Sequence, residues 1–300
     1  MEFGKVAVLM GGKAAEREIS LRSGQAVTDA LIRQCIDAVA CDVSTIDELN
    51  QIAQTYDRAF IALHGRWGED GTVQAILDDL GLPYTGSGMT ASAIAMDKLR
   101  TKWLWQGAGL PTPQFLWVSE TQPFNADDFS IPFPVIVKPS HEGSSIGMRK
   151  VNALAELAEA VEFAQQYDSE VLIEQWITGS EYTAAVLNDE ALPLIELKTT
   201  HDFYDFDAKY KSNDTQYICP CALSSEIEQK IKSLILRAFD VVGAKTWGRV
   251  DVMLDEHNQP WLIELNTVPG MTDHSLVPMA AKVSGRSFEQ LVTDILKSTL

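Results

Sequence analysis

Trp247-Gly248-Arg249-Val250-Asp251-Val252-Met253-Leu254, the polar connection Asp255-Glu256-His257-Asn258-Gln259, and Trp261-Leu262-Ile263-Glu264-Leu265-Asn266 read as two strands joined by a hairpin. Side chains two apart share a strand face, so Arg249 and Asp251 point one way, as do Glu264 and Asn266. A hairpin could bring the two faces together. Two carboxylates and an amide oxygen then form a hard-oxygen set suited to Mg²⁺, a cation held by a few carboxylates plus phosphate oxygens. Glu264 interrupts an otherwise apolar strand, where an uncompensated charge is costly. The alternative is that all three face water from an edge strand.

Upstream, Pro134-Val135-Ile136-Val137-Lys138-Pro139 is a buried strand that delivers a lysine into the small-residue loop Ser140-His141-Glu142-Gly143-Ser144-Ser145-Ile146-Gly147. Gly and Ser let backbone N–H groups approach and cradle phosphates, and Lys138 adds a point charge. A hairpin tip with a snorkelling lysine would look similar. Glu174-Gln175-Trp176-Ile177 ends another strand, with Glu181 shortly after. An apolar wall with backbone polar groups suits an adenine ring, and a carboxylate suits ribose hydroxyls. An ordinary interdomain strand is the other reading. Lys98 lies on a predicted helix over Ala91 to Gln106, where a solvated lysine is the plain expectation.

Residues 1–85 alternate strand and helix: strands at Lys5 to Met10, Asp37 to Val43 and Arg58 to Leu63, helices at Leu21 to Arg33, Ile46 to Gln54 and Gly71 to Leu80. That order predicts a small parallel sheet covered on both faces, with ligands at the carboxyl ends of its strands. Three units follow from the pattern changes: 1–85, an α/β substrate-side unit; 86–178, a central unit; and 179–300, carrying the metal and catalytic candidates. A chain of 300 residues with 46% hydrophobic content can fill several cores. The fold class is α/β, α+β taken as a whole.

The net charge of −18, with no compensating basic cluster, argues against nucleic acid and anionic membrane as partners. No apolar run approaches the roughly 18 residues of a membrane helix. The four cysteines have no metal-ligand or redox spacing, which points to idle thiols in a reducing compartment. Gly86-x-Gly88-x-x-Ala91 loosely matches a dinucleotide fingerprint, but it follows no convincing strand, and neither a Walker loop nor a nucleophile elbow is present.

In this order the pieces resemble the ATP-grasp superfamily and, within it, the bacterial D-alanine:D-alanine ligase family. The resemblance spans nearly the whole chain. It is carried by Gly11-Gly12 through Glu18, His64-Gly65-Arg66, Glu69-Asp70-Gly71, Tyr84 to Gly88, Met96-Asp97-Lys98, Lys138-Pro139, Glu142 to Ser145, Lys209-Tyr210, Gly248 to Asp251, Glu264, Asn266, Pro269 to Thr272 and His274-Ser275-Leu276. It implies a three-domain ATP-grasp fold, with ATP between the central and C-terminal units. Lys98, Lys138 and Lys209 would meet its phosphates under a loop containing Ser144 and Ser145; Glu174, Trp176, Ile177 and Glu181 would meet adenine and ribose. Asp251, Glu264 and Asn266 would hold two Mg²⁺ ions, with Mn²⁺ as a substitute. Glu16, linked to Ser144 and Tyr210, would anchor the first D-alanine near His64; Ser275 and Leu276 would take the second; Arg249 and the Gly270 N–H would stabilise the oxyanion. His201 to Gln216 resembles a mobile lid, and Tyr210 implies an amine rather than a hydroxyl as nucleophile. Val268, Leu265 and Trp67 depart from the family's usual residues. A cytoplasmic homodimer serving peptidoglycan synthesis is the family expectation.

Overall fold

The structure, a computed structural model, describes residues 2–199, 215–272 and 274–300. Its first sheet is parallel, ordered β2 (Ala38–Val43), β1 (Val6–Gly11), β3 (Arg58–Ile61), with β1 buried throughout. Burial on both faces is what a strand with no polar alternation requires. Helices α1 (Arg17–Arg33) and α2 (Ile46–Ala53) connect these strands and α3 (Thr72–Asp79) follows β3, α2 starting at a capping box between Thr45 and Glu48. Helix α1 starts four residues ahead of the predicted Leu21, because its first turn has a single apolar residue, Ile19, and so shows no apolar period.

The single helix expected over Ala91 to Gln106 is two: α4 (Met89–Met96) and α5 (Lys98–Gly107). Asp97 breaks it. Its backbone is extended, at φ −90° and ψ 97°, and its carboxylate caps α5 by accepting from the Arg100 N–H at 3.0 Å. Aspartate is a favoured N-cap, and here the Ser140 hydroxyl holds the same oxygen at 3.1 Å. The break aims Lys98 inward, where it is buried and donates to the Glu142 carbonyl at 2.6 Å, so it is not a solvated lysine.

A four-stranded sheet follows, ordered β4 (Phe115–Val118), β7 (Val171–Gln175), β5 (Val135–Pro139), β6 (Arg149–Val151), backed by α6 (Leu154–Ala164). Val135, Val137, Leu157 and Ile173 belong to its own core. The largest sheet has six strands, β8 (Gly179–Leu187), β9 (Glu190–Ala191), β10 (Ile195–Lys198), β11 (Gln216–Ile218), β12 (Trp247–Asp255) and β13 (Pro260–Asn266), along the path β11-β10-β8-β12-β13 with β9 on β8. Helix α7 (Ser225–Val242) covers it together with α4 and α5, the Trp105 indole donating to the Ala238 carbonyl at 3.0 Å.

Helices α8 (Leu276–Val283) and α9 (Phe288–Leu296) return to the first sheet. Leu291, Val292 and Ile295 share one core with Val6, Val27 and Leu31. The two ends of the chain therefore close one hydrophobic core, and the Met271 N–H donates to the Ser23 hydroxyl on α1 at 3.1 Å.

The hairpin of β12 and β13 is antiparallel, and its register shifts once: Asp251 faces Glu264, whereas Val252 faces Leu262. Ile263 is thus an extra residue, a bulge. Without it, Leu262 and Glu264 would share a face. With it, Leu262 enters the core while Glu264 faces a cavity beside Asp251.

Candidate active site

Two cavities adjoin, of ≈ 400 Å³ and ≈ 600 Å³, and Lys98 and Glu264 line both. The larger lies between the four-stranded and six-stranded sheets. Its walls combine Lys138, Ser145, Glu174, Trp176, Ile177 and Glu181 with Asp251 and Glu264. The smaller is lined by Glu16, His64, Ser144, Arg249, Asn266, Gly270, Ser275 and Leu276. Every described residue singled out as a site candidate from the sequence thus borders one of the two. Lys209, Tyr210 and the segment from His201 to Asp214 lie outside the described residues.

The larger cavity has a charged floor. Lys138 and Glu174, each 2% exposed, stand on β5 and β7, and the Lys138 ammonium is 3.0 Å from the Glu174 carboxylate. Burial pushes the Glu174 carboxyl up, and Lys102 and Lys138 more than offset it, so it lies below the usual carboxylate range. Lys102, 2.7 Å from the same oxygen, is a participant that sequence reasoning missed. It sits one turn beyond Lys98, a weak signal readable only once the helix break is known. Near Trp176, the Lys150 ammonium lies 4.2 Å from the indole centroid, a cation–π contact.

Where the cavities meet, Asp251 is 8% exposed and accepts from Arg249 at 2.9 and 2.8 Å and from the Thr183 hydroxyl at 2.5 Å. Arg249 and Asn266 face each other across the hairpin, as do Asp251 and Glu264, so all four side chains share one face. Asn266 keeps a buried amide nitrogen with no hydrogen-bond partner among the described residues. Strand β13 is an edge strand, yet the three oxygen-bearing side chains line cavities rather than bulk water. Two opposed carboxylates and an amide oxygen are a donor set that fits a hard divalent cation. Asp251 is available to it only in exchange for the Arg249 contact.

In the smaller cavity, the Glu16 carboxylate is 3.3 Å from the Ser144 hydroxyl. A Cβ on Gly65 would come within 2.6 Å of that carboxylate and 2.7 Å of the Ala14 Cβ, and the φ of Gly65 is 70°, so this loop needs glycine to close on Glu16. Ser144 and Ser145 have φ of 54° and 60°. Non-glycine residues in the left-handed region cost about 1–2 kcal/mol each, strain that concentrates at ligand-clamping loops. His64 donates from Nδ1 to the Val268 carbonyl at 2.9 Å and lies 3.2 Å from both Glu69 and Ser23. Val268 serves through its backbone, and its buried side chain joins the core. Trp67, where the family commonly has glycine, has φ 75°. Leu265 points into the core. Ser275 precedes the first turn of α8, and its hydroxyl accepts from the Thr272 N–H at 2.9 Å.

The phosphate-loop candidate is anchored at its base by His141. Its ring lies 2.7 Å from Asp168 and 3.2 Å from Asp97, and the hydrogen bonds it donates, first to Asp168 and then to Asp97, push its pKa up to about 9. A raised folded-state pKa means stability fully present below the ordinary value of 6.5 and lost as pH rises through about 9. Thermal melts across that window should therefore fall with pH more steeply for the native chain than for His141→Gln; parallel curves would remove His141 from this role.

Two family models match the chain: "D-ala D-ala ligase N-terminus" over residues 42–87 and "D-ala D-ala ligase C-terminus" over residues 104–297. The D-alanine–D-alanine ligase of Hydrogenovibrio crunogenus is 69% identical over 298 residues, covering 99% of this chain and 95% of that one. Among solved structures, the D-alanine–D-alanine ligase of Bacillus anthracis complexed with ATP superposes with TM-score 0.89 at 30% identity, covering 99% of this chain and 97% of that one. The D-Ala:D-Ser ligase of Enterococcus faecalis superposes at 0.87 with 27% identity, covering 99% of each chain. Matched in both halves by the family models, in nearly its whole length by these relatives, and in its three-sheet architecture, the chain belongs to the D-alanine–D-alanine ligase family.

Proposed function

We propose that this chain joins two D-alanine molecules, converting ATP to ADP and phosphate, through a D-alanyl phosphate. The supporting observation is the meeting of two unlike cavities at Lys98 and Glu264: one with an apolar wall and buried lysines, the other polar and sized for amino acids. A carboxylate is a poor electrophile. Attack of its oxygen on the γ-phosphorus forms the acyl phosphate and releases ADP, while Lys98 and Lys138 offset the charge on the transferring group. The amine of the second D-alanine then attacks the acyl carbon, phosphate leaves, and the amine gives up a proton.

Glu16 is assigned to the first ammonium, and the Ser275–Leu276 start of α8 to the second carboxylate, since a helix N-terminus presents N–H groups to an anion. Arg249 and the Gly270 N–H are assigned to the tetrahedral oxyanion. Glu174, Trp176, Ile177 and Glu181 are assigned to the adenosine, Ser144 and Ser145 to the covering loop, and Lys209 and Tyr210 to the lid. Asp251, Glu264 and Asn266 would hold Mg²⁺, or Mn²⁺, which supplies Lewis-acid neutralisation of phosphate charge. With these roles go the division into units 1–85, 86–178 and 179–300, a cytoplasmic location, a homodimer, and a product destined for peptidoglycan precursors. No helix among the described residues is long and apolar enough to cross a membrane.

The test mixes the protein with ATP, Mg²⁺ and D-alanine and seeks ADP, phosphate and a dipeptide by mass spectrometry. The similarity to a D-Ala:D-Ser ligase makes D-serine the necessary competitor. D-alanyl-D-alanine should predominate. Product only with another amino acid would assign a different carboxylate–amine ligase.

A further inference from the structure

Lys102 borders neither cavity. It is wholly buried, at 0% exposure, in the second turn of α5. Its ammonium is 2.7 Å from Glu174 and donates to the Thr112 hydroxyl at 2.7 Å. Thr112 donates in turn to the Leu262 carbonyl at 2.9 Å, beside the bulge that presents Glu264. One buried cation thus reaches both the carboxylate in the floor of the larger cavity and the strand bearing Glu264.

Lys138 alone would neutralise Glu174. Two ammonium groups on one carboxylate leave a buried net positive charge, which is costly without a further anion. In a chain of net charge −18, an anion must be drawn by individually placed cations. Lysine 102 takes a share of the Glu174 charge, so Lys138 is left under-neutralised at the cavity surface. We propose that Lys102 is a positioning residue for the triphosphate of the nucleotide: it holds Glu174 from behind and keeps the positive charge of Lys138 directed into the cavity.

This inference rests on reading the larger cavity as the nucleotide site. The test compares Lys102→Met and Lys102→Arg in the full chain for the KM of ATP, the KM of D-alanine, and the inhibition constant of adenosine, which has the base and ribose but no phosphates. Lys102→Met should raise the KM of ATP by about tenfold, the scale of one charge-assisted contact, while the other two constants move less than about twofold. Lys102→Arg should recover most of that loss. An unchanged KM for ATP overturns the proposal. So does a common shift of all three constants, the mark of a structural role. Should Lys102→Met fail to fold, Thr112→Val, which removes the hydroxyl that orients the ammonium, carries the test: a KM for ATP raised about threefold is expected, and none overturns the inference. A native chain with no ATP-dependent product would instead unseat the nucleotide reading itself; ATP-dependent turnover with flat variants unseats only the role of Lys102.

Discussion

Glu264→Gln should lower kcat by about 10²–10³-fold, the scale of removing one preorganised electrostatic group from a charge-developing site, with the thermal midpoint nearly unchanged. The side chain borders both cavities and stands across the hairpin from Asp251, where the bulge at Ile263 puts it. Glutamine has the same shape but lacks the negative charge that strengthens cation binding, so it separates chemistry from packing. Steady-state kinetics over a range of Mg²⁺ concentrations check this. Partial recovery at high Mg²⁺ would mark weakened ion binding, and native turnover would take Glu264 out of the reaction.

Glu174→Leu should produce the largest loss of stability, about 3–5 kcal/mol, because it strands two buried ammonium groups with no anion between them. Lys102 and Lys138 both lean on this carboxylate, at 2.7 and 3.0 Å. The loss should also depend on pH. Burial pushes Lys102 from 10.5 down to about 8, against the opposing pull of Glu174, so the unfolded chain binds more protons than the folded one between those values. Stability contributed there rises with pH. Without Glu174 the pKa of Lys102 falls further, and the rise begins at lower pH. Urea titrations at about pH 7 and about pH 9 should therefore show a smaller deficit at the higher value. An equal deficit at both would mean that Lys102 does not shed its proton.

The alternation of strand and helix through residues 1–85 and the β12–β13 hairpin were legible because each is written in neighbouring residues, by apolar period and turn chemistry. The types of the site residues were legible for the same reason: Lys138 ending an apolar strand and Glu264 inside one are anomalies that local reading detects. The break at Asp97 was half legible. Aspartate is a good cap, but Ser140, far along the chain, decides that the helix restarts there.

By itself the sequence determined which chemical groups this protein has and which strands and helices carry them, since propensity and periodicity act over a few residues. Tertiary structure alone decided that Lys102 is buried against Glu174, that Ile263 bulges so Glu264 meets Asp251, and that α8 and α9 complete the core of the first sheet. Each of these rests on a partner distant in the chain. Burial and charge pairing are energies of contact, and no local pattern encodes which distant group will make it.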